Sequence, residues 1–226
     1  MASLIKLIGV STTDINGSTV LLNNISLHID HGEIIGLQGR SGAGKTTLLR
    51  LLNRLQEVSQ GNILYDEKAL NKYPVQQLRQ EIVLVPQEPK LLGMTVEESL
   101  TYPLELQKVG KTECQRRRIL ACDIWEIPSD WLDRNELQLS VGQRQLVTLV
   151  RATMLGPRIL LLDEPTAALD PALAQRVLTQ LRLINQENGT TMVMVNHTPE
   201  YLENFCQRIF TLCQGELKQE TTLKNS

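Results

Sequence analysis

The sequence predicts an α/β fold: a core with a mainly parallel sheet, an N-terminal antiparallel β subdomain and an inserted α-helical subdomain. Three observations lead there. Four short apolar runs have the length of fully buried strands: Ile34-Ile35-Gly36-Leu37, Ile82-Val83-Leu84-Val85, Ile159-Leu160-Leu161-Leu162 and Thr191-Met192-Val193-Met194-Val195. Each run leads into residues that carry chemistry, as at the carboxyl edge of an open α/β sheet. Between residues 88 and 157 the β-branched runs give way to helical spacing with many charges, which marks a helical lobe set between strands of the core. A chain of 226 residues suits one domain with two joined lobes, the α/β core at 1–87 and 158–226 and the helical subdomain at 88–157.

In chain order, residues 4–10 and 20–29 alternate as strands around the turn-rich Thr13-Asp14-Ile15-Asn16-Gly17-Ser18. His31-Gly32 turns the chain into the run at 34–37. Lys45 to Arg54, with Leu48, Leu49, Leu51 and Leu52, reads as a helix, and Gly61 to Tyr65 as a short strand. Pro86 and Pro89 end the run at 82–85 and leave Gln87 at a strand's end. Helical spacing then covers Thr95 to Leu106, with Thr95 as N-cap before Glu97 and Glu98, and Lys111 to Trp125. Asp170-Pro171 caps a long helix whose apolar stripe is Leu173, Val177, Leu181 and Ile184. Arg208 to Cys213 reads as a final strand, followed by a turn at Gln214-Gly215-Glu216.

The densest chemistry lies at Gly39-Arg40-Ser41-Gly42-Ala43-Gly44-Lys45-Thr46-Thr47, which matches the phosphate-loop pattern G-x-x-x-x-G-K-[ST] between a predicted strand and a predicted helix. Its glycines let successive N–H groups turn inward as a nest for an anion. The helix that follows points its unpaired N–H groups and positive dipole end at the same place. Lys45 adds a mobile cation for the outer phosphates, and the Thr46 hydroxyl is placed to ligate Mg²⁺. The pattern describes a nucleoside triphosphate site.

Composition narrows the classes. Lys+Arg 23 against Asp+Glu 25 gives a net charge of -2, so no general basic field exists to hold nucleic acid. Arg116-Arg117-Arg118 reads as a solvated helix face. Cys114, Cys122, Cys206 and Cys213 have neither C-x-x-C spacing nor zinc-ligand histidines, and read as free thiols of a reducing compartment. No run approaches the ~18 apolar residues of a membrane span, and the N-terminus has no signal-peptide pattern. A cytoplasmic protein is expected.

The remaining motifs follow in a fixed order: Gln87 after a strand, Leu139-Ser140-Val141-Gly142-Gln143, Ile159 through Asp163-Glu164, Ala168-Leu169-Asp170, and His197 after another strand. With the phosphate loop, this order resembles the nucleotide-binding subunit of the ATP-binding cassette (ABC) transporter family over essentially the whole chain. The resemblance implies an ATPase that uses ATP and Mg²⁺, with Asp163, Thr46 and Gln87 on the metal. It implies Glu164 as general base toward the attacking water, His197 at the γ-phosphate, and Gln87 as a hinge between lobes. It assigns Ser140, Gly142 and Gln143 to the nucleotide of a second subunit, with Asp170 linking the two sites. The active form is then a dimer, most simply of identical cassettes, seated on a multi-span permease at the inner face of the cell membrane. The stretch Pro89 through Tyr102-Pro103 lies where the family receives its membrane subunit.

Two departures stand out. The first glycine of the family's signature is Val141 here, which sets a branched side chain beside the incoming phosphate. The usual adenine-stacking aromatic is missing from Thr12-Thr13-Asp14-Ile15-Asn16, which leaves Ile15 as an apolar surface and base discrimination weak. The short helical lobe resembles cassettes of a metal (iron) exporter. A soluble cassette that acts as an assembly factor, for instance in iron–sulfur biogenesis, fits the same residues. A chromosome or repair ATPase does not, because it needs a long heptad insertion ahead of the signature.

Overall fold

The computed structural model describes residues 3–14 and 16–223. Two sheets enclose one helix. Strands β1 (Ser3–Thr13), β2 (Val20–Asp30), β4 (Gln60–Tyr65) and β5 (Lys68–Ala69) form an antiparallel sheet in the order β2-β1-β4-β5. The larger sheet runs β10 (Glu216–Thr222), β9 (Arg208–Cys213), β3 (Ile34–Gln38), β8 (Thr191–Val195), β7 (Ile159–Asp163), β6 (Ile82–Val85). It is parallel except for β10, which returns antiparallel along β9.

Strands β3, β7 and β8 are apolar on both faces because both faces are covered. One face packs with Leu48, Leu49, Leu51 and Leu52 of α1 (Lys45–Leu52) and the inner face of the antiparallel sheet. Each of those leucines is fully buried and contributes roughly 1.5–3 kcal/mol relative to exposure. The other face packs with the helical lobe, α6 (Pro171–Asn188) and α7 (Pro199–Phe205).

The lobe holds α3 (Val96–Leu106), α4 (Lys111–Trp125) and α5 (Val141–Thr153), all between β6 and β7. Thr95 and Glu98 close a capping box at the start of α3. The segment before α5 is tied to α3 through Val96 N to Arg134 O (2.9 Å) and Glu97 N to Leu132 O (3.0 Å). Asp170 caps α6 through its side chain, with Pro171 in the first turn.

Some sequence expectations needed correction. α1 stops at Leu52, short of Arg54, where the backbone turns left-handed (φ 55°) and the guanidinium bonds Glu57 and the Tyr73 carbonyl. Arg118 is not on a solvated face, because its side chain is 13% exposed and pairs with Glu97. Arg116 and Arg117 do face outward and share Glu113. Helices α2 (Val75–Glu81) and α7 and strand β10 were not foreseen.

Candidate nucleotide site

Strand register alone gathers the chemistry. Val85 of β6 lies opposite Leu162 of β7, Asp163 opposite Val195 of β8, and Val195 opposite Leu37 of β3. The residues just past these positions therefore share one edge: Gln87, Asp163-Glu164, Asn196-His197 and the loop starting at Gly39. Crevices beyond the carboxyl ends of parallel strands are the general ligand position in such sheets.

The loop is braced from both sides. Gly44 has φ 102°, and a Cβ there would stand 2.6 Å from Leu22 Cδ2 and 2.9 Å from the Leu21 carbonyl, so only glycine fits. Ala43 is buried, and its carbonyl accepts from Gly215 N (3.1 Å) in the turn between β9 and β10. Arg40, Ser41 and Gly42 are exposed. Gly44 caps α1 with no side chain, and the first turn carries no acidic residue, so the amide groups there are open to an anion. The Lys45 ammonium, otherwise buried, donates to the carbonyls of Gly39 (2.7 Å) and Arg40 (3.0 Å). Burial holds its pKa below the usual lysine value, against the pull of Glu164 and Asp163.

Asp163 is 2% exposed at the end of β7. Burial pushes its carboxyl above the ordinary aspartate range, although a hydrogen bond from Thr46 works the other way. Its Oδ1 is buried with no hydrogen-bond partner. An orphaned carboxylate oxygen beside the Thr46 hydroxyl fits a hard divalent cation, directly or through its water. A raised aspartate pKa stabilises the fold only below the ordinary carboxylate range, and that contribution is lost as pH rises through the raised value. Near neutral pH the ionised Asp163 is therefore a cost in the cation-free protein. Asp163→Asn, which keeps an acceptor for Thr46, is expected to raise the thermal midpoint of the cation-free chain at pH 7 by ~2–4 °C. An unchanged or lower midpoint by calorimetry would speak against this account of Asp163.

Glu164 follows with φ 54°, a left-handed conformation uncommon outside glycine. Its N–H donates to the Val195 carbonyl (3.0 Å), and its side chain, 13% exposed, lies 2.8 Å from His197 Nε2. Gln87 is exposed, past the half-buried Pro86. The structure thus brings together the phosphate loop, Lys45, Thr46, Asp163, Glu164 and His197, with Gln87 on the same edge and Thr47 half-buried in the first turn of α1.

The remaining predicted residues lie at another helix tip. Ser140 caps α5: its side chain accepts from Gln143 N (3.1 Å), and the Gln143 amide accepts from Ser140 N (2.8 Å). Val141 is exposed at the first position. A Cβ on Gly142 would stand 2.7 Å from the Ala168 carbonyl, so this glycine is also required by packing within its own chain. Exposed Asp170 accepts from Leu173 N (3.0 Å). The expected adenine surface, Ile15, lies outside the described residues.

Sequence reading missed two supports of the site, the Gly215–Ala43 bond and a buried pair between Asn196 and Thr166. The Asn196-His197 dipeptide at a strand end was the one available signal for the second.

The ABC transporter family matches residues 22–167. The methionine import ATP-binding protein MetN of Francisella tularensis is 36% identical over 208 residues, 90% of this chain and 59% of that protein. MetN of Clostridioides difficile is 36% identical over 205 residues, 89% of this chain and 64% of that protein. The chain thus spans about three fifths of the length of these relatives. Among solved structures, a dimeric post-hydrolysis state of the ATP-binding cassette MJ0796 bound to ADP and Pi is similar with a TM-score of 0.88 and 29% identity. It covers 98% of this chain and 100% of its own. The cbiO1 cassette of Clostridium perfringens, part of the cbiONQ transporter complex, has a TM-score of 0.86 and 26% identity, covering 98% of this chain and 89% of its own.

Proposed function

Because the chain belongs to the ABC transporter family, we propose that it binds and hydrolyses ATP to power a membrane transporter through ATP-dependent closure of a dimer of cassettes. One observation carries this reading: a braced phosphate loop meets Asp163, Glu164 and His197 on one edge of four parallel strands. The loop amides and Lys45 grip the phosphates. Glu164, held by His197 and nearly out of solvent, is a carboxylate aimed at the same edge and suited to take the proton of an attacking water. His197 is the exposed member of the pair and reaches outward toward a terminal phosphate. Thr46 and Asp163, with Gln87, hold Mg²⁺, which neutralises charge on the phosphates when bound. We take residues 1–87 and 158–226 as the core and 88–157 as a helical subdomain that moves relative to it about Gln87.

The capped tip of α5, Ser140 with Gly142 and Gln143, offers N–H groups and a hydroxyl at a helix N-terminus. On this proposal it closes over the nucleotide of a second cassette, and Asp170 lies beside that contact. No helix among the described residues is long and apolar enough to cross a membrane. Attachment to the cytoplasmic face of the membrane then falls to a multi-span permease. The expected docking stretch divides in the structure: Leu91, Val96 and Leu100 are core, while Leu92 and Tyr102 are exposed and available to that partner. The relatives are importers by name, whereas the sequence of the helical lobe leads us to expect a metal (iron) exporter, and the ATPase cycle proposed here serves either direction.

The test is phosphate release by the purified chain with MgATP. A two-cassette site predicts a rate per chain that rises with chain concentration. A rate per chain independent of concentration, down to dilutions where the chain is monomeric, would remove the shared site. Co-purification with a multi-span protein from detergent-solubilised membranes checks the transport assignment, and recovery in the soluble fraction alone counts against it.

A further inference from the structure

We propose that Asn196 is a positioning residue that sets His197 and Glu164 against each other, acting through Thr166. This rests on the reading of the site given above. Asn196 is 7% and Thr166 4% exposed, so neither side chain can exchange its partner for water.

The Asn196 amide is used at both ends. Its Oδ1 accepts from Thr198 N (2.9 Å), which folds the turn that carries His197 outward. Its Nδ2 donates to Thr166 Oγ1 (2.8 Å), the one buried side-chain pair found between the two loops among the described residues. Thr166 sits inside two successive tight turns, from Ala167 N to the Glu164 carbonyl (3.2 Å) and from Leu169 N to the Thr166 carbonyl (3.1 Å). The hydroxyl of Thr166 is therefore fixed relative to the backbone of Glu164.

Two ties then flank Glu164. The backbone bond from Glu164 N to the Val195 carbonyl holds the strand side, and the Asn196–Thr166 bond holds the loop side. A non-glycine residue keeps a left-handed backbone only where its surroundings over-determine it, and these ties supply that constraint at φ 54°. The same amide shapes both the turn bearing His197 and the loop bearing Glu164, so it fixes the 2.8 Å approach of the two side chains without touching either.

The experiment compares the wild-type chain with Asn196→Ala, Thr166→Val, Thr166→Ser and the double variant Asn196→Ala/Thr166→Val. Steady-state ATP hydrolysis is normalised to nucleotide sites titrated in the same preparations. A shift of about 1 Å at reacting groups costs up to ~100-fold in rate, so Asn196→Ala and Thr166→Val should each lower kcat by tenfold or more. KM for ATP should stay within about threefold, because the phosphate grip lies elsewhere. Thr166→Ser retains the acceptor and should recover kcat to within about threefold of wild type. The double variant should lose no more than Asn196→Ala, since that variant already removes the one bond that Thr166→Val breaks, together with the bond to Thr198 N.

A merely structural role lowers thermal stability while leaving kcat per titrated site intact, and that result overturns the proposal. So do equal losses in Thr166→Ser and Thr166→Val, losses that multiply in the double variant, or a rise in KM alone. If Asn196→Ala does not fold, the two Thr166 variants carry the test. A wild type that hydrolyses no ATP overturns the reading of the site itself, whereas an active wild type with unaffected variants overturns only this inference.

Discussion

Glu164→Gln is expected to lower ATP turnover by at least about 100-fold, the lower end of what a positioned general base contributes. The substitution is nearly isosteric. It leaves the N–H bond to Val195 and the left-handed backbone in place, and an amide can still meet His197 Nε2 across the present 2.8 Å. What it removes is a nearly solvent-excluded carboxylate on this edge that the proposed mechanism leaves free of a metal-holding role. Affinity for ATP should change little, because Lys45 and the loop amides are untouched. On the proposed cycle the variant collects as a nucleotide-bound dimer, visible by size-exclusion chromatography with MgATP. Wild-type turnover in this variant would show that the base is another group.

Lys45→Ala should act on binding instead. A hydrogen bond to a charged group is worth ~1.5–3 kcal/mol, which corresponds to a roughly ten- to hundredfold loss in ATP affinity. The buried ammonium now rests on the carbonyls of Gly39 and Arg40, so the loop keeps its cation ready but must release it to the phosphates. Burial already disfavours its charge, and a bound polyphosphate restores what was lost by leaving water. Calorimetric titration with a slowly hydrolysed ATP analogue measures the effect directly. Unchanged affinity would mean that the phosphates lie elsewhere.

Much of this was legible in the sequence because buried parallel strands cannot disguise themselves. Ile82–Val85 and Thr191–Val195 are covered on both faces, so their composition alone marks them, and the residues that follow them are positioned by register. Caps were legible for a similar reason: Thr95 with Glu98, and Asp170 with Pro171, satisfy helix ends through local chemistry. Strand β10 escaped because an edge strand reading Glu-Leu-Lys-Gln-Glu-Thr-Thr has little apolar alternation to show, its order coming from backbone pairing with β9. Helix α7, seven residues long, is too short for periodicity to register. Arg118 was misread because a charged run looks uniform in sequence, while the helix surface turns one of its members inward toward Glu97. Within the candidate site, the phosphate loop reads from local pattern, whereas Asp163, Glu164 and His197 stand out through the order of motifs that resembles the family. Asn196–Thr166 and Ala43–Gly215 join residues far apart in the chain, and no local pattern contains such a pair.

The bracing of the loop bears on how the protein is made. Gly44 is walled by Leu21 and Leu22, which precede it in the chain, and Ala43 is fastened by Gly215, which follows it by more than a hundred and fifty residues. A chain still emerging from the ribosome carries the complete glycine-lysine motif, and the leucines that wall Gly44, long before the residue that fastens Ala43. The loop is therefore not braced from both sides until the turn between β9 and β10 has folded back onto Ala43, in a segment translated more than a hundred and fifty codons before it.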